Sequence, residues 1–187
     1  MVSVFEEKSM ITVEDQVVER IVRSYRMGGK LIIFGNGGSL ADASHIAAEY
    51  VGRYVISERR ALSAFALNDP IAMSAIANDY GFDHVFSRQI EAHCKPEDIV
   101  IVMTTSDVSQ EENGHSRNIY NGIMAARDIC KCTIGFGGRE SMIFRNLVDY
   151  FIEGEGENTA RIQESHMRIN HEICGRVEKM LHKEGVI

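Results

Sequence analysis

The chain has 187 residues, 44% hydrophobic and 25% charged, which suits one domain over 1–187 with a single sizeable core and the balance of an ordinary globular protein. No apolar run approaches the about 20 residues that a membrane-spanning helix needs, so no membrane partner is expected. The formal net charge of −7 argues against nucleic acid, whose phosphate backbone needs a basic face, and means that any phosphate on a small ligand must be held by local dipoles and a few cations.

The first stretch, MVSVFEEKSMITVED, is acidic and lacks the basic and apolar regions of a signal peptide, so a cytoplasmic location is expected. Val13 to Met27 carries apolar residues at helical spacing (Val17, Val18, Ile21, Val22, Tyr25), and Gly28-Gly29 stops the helix. Leu31 to Phe34 is an all-apolar run ending in Gly35, the pattern of a strand buried on both faces. Ser39 opens a helix through about Arg53. Ala61 to Leu67 reads as strand, followed by a helix from Pro70 and a second one ending near His93. Asp98 to Met103 is the clearest buried strand, and a polar loop from Thr104 to His115 leads into a helix from Ser116 to about Asp128. Cys132 to Phe136 is strand again, then a short helix spans Ser141 to Asn146 and a strand Val148 to Ile152. A long amphipathic helix runs from Thr159 to Lys183. The cysteines (Cys94, Cys130, Cys132, Cys174) are expected reduced and buried, and Cys130-Lys131-Cys132 has the wrong spacing for a redox or zinc pair.

This alternation implies an α/β fold: a doubly wound parallel sheet flanked by helices, a flavodoxin-like three-layer sandwich with long N- and C-terminal helices. Ligands in such sheets bind beyond the carboxyl ends of the strands. Three features share that edge. Gly35-Asn36-Gly37-Gly38-Ser39 joins strand to helix, where backbone N–H groups and the helix dipole favour an anion, although a tight turn alone also demands glycine. Thr104-Thr105-Ser106 follows the strongest strand and offers hydroxyls to phosphate oxygens. His45 and Glu49, spaced i,i+4, project from one helix face and could bind a metal, share proton transfer, or form a plain surface ion pair. The last helix adds Gln163, His166 and His171. Gln163 and His171 are separated by about 80° of rotation and ~12 Å of rise, so they share an ion only by leaning together; His166 lies on another azimuth and is expected to be structural.

Taken together, Gly35 to Ser39 with Asp42, His45, Glu49 and Arg53, then Ala77-Asn78-Asp79-Tyr80-Gly81, Phe86-Ser87-Arg88-Gln89 and Ala160-Arg161-Ile162-Gln163-Glu164-Ser165-His166 resemble the sedoheptulose-7-phosphate (phosphoheptose) isomerases of the SIS, or sugar isomerase, fold. The likeness runs in order over nearly the whole chain. It implies conversion of sedoheptulose 7-phosphate to D-glycero-D-manno-heptose 7-phosphate for bacterial lipopolysaccharide or capsule, by a homotetramer whose sites lie at subunit interfaces. By the same resemblance, Asn36, Gly37, Gly38 and Ser39 line the substrate with Arg53, Asn78, Asp79 and Gln163, while Thr104, Thr105 and Ser106 hold phosphate. His45, Glu49, Gln163 and His171 fall on the family's metal ligands, with zinc the implied ion, and Glu49 and His171 on its acid–base pair. The chemistry suits those types: one group takes a proton from C1 of the ketose, a second manages hydroxyl protons, and an enediolate forms between.

One stretch departs from the family pattern, in which the phosphate loop reads Ser-Thr-Ser-Gly-Asn-Ser and enters a helix at once. Here Ser106 is followed by Asp107-Val108-Ser109-Gln110-Glu111-Glu112-Asn113-Gly114-His115 before Ser116. Either Ser109, by loop register, or Ser116, by helix register, is the last phosphate ligand, and the added carboxylates weaken phosphate binding unless they face solvent. Relatives of the fold that act as scaffolds for the bacterial replication initiator lose the acid–base residues, whereas Glu49 and His171 are both present. A regulator that binds phosphosugars without turnover is the other alternative.

Overall fold

The computed structural model describes residues 11–187; the reading of the N-terminal stretch as free of a leader rests on residues 1–10, which lie outside that range. Helix α1 (Val13–Arg26) begins with a reciprocal cap in which the Thr12 side chain accepts from the Asp15 N–H and Asp15 accepts from the Thr12 N–H. Then follow β1 (Leu31–Gly35), α2 (Gly38–Val51), β2 (Ala64–Ala66) and α3 (Pro70–Tyr80), which starts on an Asp69 cap. A single 3₁₀ turn (Phe82–His84) leads to α4 (Ser87–His93), β3 (Ile99–Met103) and α5 (Arg117–Ile129). The chain continues through β4 (Thr133–Gly137), α6 (Met142–Leu147), β5 (Tyr150–Glu153) and α7 (Thr159–Lys183).

All strand pairs are parallel and the sheet order is β2-β1-β3-β4-β5, so the chain winds outward in both directions from β1 and β3. Alternate strand residues feed two cores. Leu31, Ile33, Ile99, Ile101 and Met103 pack under α1, α2 and α7; Ile32, Phe34, Val100 and Val102 pack under α4, α5 and α6. Both faces of β1 and β3 are therefore buried, which is why these strands read as unbroken apolar runs.

Differences from the sequence reading have local causes. The strand expected over Ala61–Leu67 contracts to Ala64–Ala66, because β2 is an edge strand and the Leu62 N–H turns back to the Tyr50 carbonyl at the end of α2. Along α7, Ile162, Ile169, Ile173, Cys174, Val177 and Leu181 are buried within the chain, while Met167 and Met180 are half-buried. Exposed apolar surface lies on α3. That helix buries no residue, and Ile71, Tyr80 and the following Phe82 are exposed. All four cysteines are free thiols, with Cys130, Cys132 and Cys174 buried and Cys94 half-buried. No helix among the described residues is long and apolar enough to cross a membrane.

Candidate active site

The strand order reverses between β1 and β3, and at such a point the loops leaving the carboxyl ends of the strands form the cleft where ligands bind. The β1–α2 loop needs its glycines. Gly37, the N-cap of α2, has φ 54° and ψ −121°, a backbone that side chains resist. A Cβ on Gly38 would meet the end of the Gln163 side chain of α7, so the bare position 38 leaves room for that amide at the start of α2. Asn36 exchanges two hydrogen bonds with Asn118 of α5, at 3.0 and 2.7 Å, which ties the β1 loop to the β3 side of the cleft.

Two turns along α2, three side chains meet. His45 Nε2 lies 3.2 Å from Glu49 Oε1 and 3.1 Å from His171 Nε2 of α7. The candidate ligand atoms of His45, Glu49 and His171 all lie within 4.8 Å of one another. A tetrahedral zinc with bonds of about 2.0–2.1 Å sets its ligand atoms about 3.3–3.4 Å apart. The two short separations are close to that spacing, and two imidazoles with a carboxylate suit zinc or a similar ion. The residues present therefore fit a divalent metal.

His171 does not hang freely. Its ring stacks on Tyr54 with centroids 5.5 Å apart and planes 6° from parallel. Tyr54 is held in turn by Glu178, one of the few fully buried carboxylates, which accepts the N–H groups of Tyr54, Val55 and Ile56 at 3.1, 2.8 and 3.0 Å. Arg59, also buried, pairs with Glu178 and donates to the Glu49 carbonyl at 2.7 Å. Burial pushes the Glu178 carboxyl up, but the Arg59 guanidinium and the three N–H groups outweigh it and hold the acid below its ordinary value. One buried ion pair thus supports both Glu49 and the ring that packs on His171.

The remaining candidates divide. The Thr104 hydroxyl is buried and turns the loop, donating to the Ser106 carbonyl at 3.0 Å, while Thr105 is half-buried and Ser106 exposed. Ser109 accepts the Glu111 N–H at 3.1 Å. Ser116, the N-cap of α5, has φ 55° and makes no capping bond with its side chain. Asn78 and Asp79 pair with each other on the exposed last turn of α3, and Arg53 is exposed with no polar partner among the described residues. The Gln163 amide lies beside Gly38 at the start of α2. His166 is buried, donates Nε2–H to the Gly137 carbonyl at 3.2 Å and packs edge-on against Phe136, the structural place its azimuth implied. Tyr54, Arg59, Asn118 and Glu178 were not singled out from sequence. Nothing in their local pattern marks them, since each acts on a partner far along the chain.

These features define a SIS domain, and the SIS domain family model matches residues 3–138. The phosphoheptose isomerase of Roseiflexus sp. (strain RS-1) is 44% identical over 169 residues, 90% of this chain and 82% of that protein. That of Aquifex aeolicus (strain VF5) is 43% identical over 162 residues, 86% and 81% of the two chains. The structure of phosphoheptose isomerase from Neisseria gonorrhoeae superposes with a TM-score of 0.79 at 34% identity, covering 92% of this chain and 89% of that one. The chain belongs to the phosphoheptose isomerase family.

Proposed function

We propose that this chain is a single-domain aldose–ketose isomerase that converts sedoheptulose 7-phosphate to D-glycero-D-manno-heptose 7-phosphate, in the cytoplasm, for the heptoses of lipopolysaccharide or capsule. The observation that carries the reading is the meeting of His45 and Glu49 of α2, the helix that leaves β1 at the switch point, with His171 of α7. A binding protein does not need a carboxylate and an imidazole poised together; proton transfer does.

In the simplest assignment Glu49 removes the proton from C1 of the ketose while His171 gives a proton to the oxygen on C2. The enediol then loses its O1 proton to His171 and regains a carbon proton at C2 from Glu49. Overall a hydrogen moves from C1 to C2 and the carbonyl from C2 to C1. The reverse assignment uses the same two groups. His45, Glu49 and His171, joined by Gln163 if its amide swings along the α2–α7 seam, would hold a zinc ion. Such an ion supplies positive charge to enediolate oxygens. Asn36 and the backbone of Gly37, Gly38 and Ser39 bind the sugar at the positive end of α2. Thr105, Ser106 and Ser116 take the phosphate. Ser116 is favoured over Ser109, whose oxygen already accepts the Glu111 N–H inside the loop.

Arg53, Asn78 and Asp79 face outward on this chain. They serve substrate only if a neighbouring copy approaches, and the exposed apolar side of α3 gives that copy something to bury. The assembly we propose is the homotetramer that the family resemblance implies. Sedimentation of a single-chain particle at micromolar concentration would exclude it.

The test is incubation of pure protein with sedoheptulose 7-phosphate, followed by NMR of the anomeric protons, before chelation, after it, and after zinc is restored. Aldose should appear, and should slow when metal is withdrawn. Binding without aldose formation would favour a phosphosugar regulator. Full turnover by metal-free protein would leave catalysis to Glu49 and His171 alone.

A further inference from the structure

The loop that follows Ser106 is built, not slack. Val108 is buried in the core beneath α5. The Asp107 carboxylate accepts the N–H groups of Ile143 and Phe144, at 2.9 and 2.8 Å, at the start of α6. Its charge is therefore spent on backbone donors and does not face the cleft. Glu111 and Glu112 are exposed. The far side of the loop closes on itself, with the Ser109 N–H donating to the His115 carbonyl at 3.0 Å and the Gly114 N–H to the Glu111 carbonyl at 3.1 Å. Asn113 and Ser116 adopt φ of 56° and 55° to make the bend, and the Asn113 N–H is anchored on Asp83 at 3.2 Å. This scaffold delivers one side chain to the cleft: His115 Nε2 stands 3.0 Å from the Ser106 hydroxyl.

We propose that His115 is a specificity-determining residue that binds the substrate's phosphate together with Ser106. The inference rests on the isomerase reading, which puts the phosphate at Ser106. The Thr104 hydroxyl is committed to the loop backbone, so the side-chain donors left at this end are the neutral hydroxyls of Thr105, Ser106 and Ser116. An imidazole within hydrogen-bond distance of the exposed Ser106 adds a ring N–H to them. Its Nε2–H and the serine O–H can turn from each other to oxygens of one phosphate, without any change in the backbone that holds them. The lengthened loop is then the means by which a chain of net charge −7 supplies a donor where a glycine-containing short loop would rely on backbone N–H groups.

The test uses the full chain with His115→Ala and His115→Gln. Glutamine keeps an N–H donor near the position of Nε2; alanine removes it. Inorganic phosphate binding is followed by ³¹P line broadening, which needs no turnover, and as competitive inhibition of sedoheptulose 7-phosphate isomerisation. Alanine should weaken phosphate binding and raise KM about tenfold, the loss of one hydrogen bond to a charged group, and glutamine should recover most of it. The loss should fall on KM and the phosphate inhibition constant more than on kcat. Phosphate affinity within twofold of wild type in the alanine variant would overturn the proposal. So would equal losses in both variants accompanied by a fall in thermal stability, because the imidazole would then only be propping up the loop. An inactive wild type that still binds phosphate through His115 would sink the isomerase reading and leave this one standing.

Discussion

The two ends of the cleft are built differently. At the end where we propose proton transfer, side chains sit on two long helices and are backed by a buried ion pair, Arg59–Glu178, which touches the connector after α2 at three successive N–H groups. At the end where we propose phosphate binding, the corresponding work falls to a loop that is fixed by a buried valine and one carboxylate, with its other charges in solvent. The first cannot change without leaving a buried charge uncompensated. The second can be lengthened and re-aimed while the sheet stays as it is. On the proposed reading, reaction class is set where the protein is least free to vary, and substrate fit where it is most free.

The sharpest way to break this comparison is at the chemistry itself. Glu49→Gln and His171→Gln should each lower kcat about 10²–10⁴-fold with much smaller changes in KM, as expected for removal of a proton-transfer group. Steady-state kinetics showing more than about a tenth of wild-type kcat in either variant would remove that residue from the role.

Next comes the buttress. Glu178→Ala strands the Arg59 charge in the interior and should cost about 3–5 kcal/mol in urea unfolding, with loss of activity following the loss of Tyr54 and its stack on His171. The same carboxylate gives a pH signature. Its folded-state pKa lies below the ordinary glutamate value of 4.5, so its contribution is complete above that value and is lost as pH falls through the lower, folded one. Unfolding free energy measured from pH 6 downward should decline in the wild type and decline less in Glu178→Gln.

The smallest effect should come from the loop. Asp107→Ala removes the acceptor for two N–H groups at the start of α6 and should cost about 1 kcal/mol in the same measurement. Its kinetic effect should appear in KM, since the loop carries His115 and not the acid–base pair. An Asp107→Ala enzyme whose kcat fell as far as that of Glu49→Gln would erase the distinction between the two ends.

Much of the fold could be read from sequence because β1 and β3 are buried on both faces and so leave unbroken apolar runs. The ends of α7 were legible too, since Asn158 caps its first turn and its apolar stripe persists to Leu181. The i,i+4 spacing of His45 and Glu49 placed two of the three meeting side chains on one face. The third, His171, stood out as a candidate on α7, but only family resemblance joined it to the other two, and periodicity alone gave no reason for α7 to lie along α2. What stayed hidden shares one property. Tyr54 on His171, Arg59 with Glu178, Asn36 with Asn118 and His115 on Ser106 are pairings across space that leave no local pattern.

The place of α7 in the chain has a consequence for how the protein comes into being. It follows all five strands, so a growing polypeptide can pair its whole sheet before His171 or Glu178 has been joined to it. Until then Arg59 has no carboxylate to meet, Tyr54 has no ring to lie against, and Glu49 stands beside a single imidazole. A half-made chain can therefore look complete in its β-structure and still lack the cluster to which we assign proton transfer, which is assembled only when α7 docks.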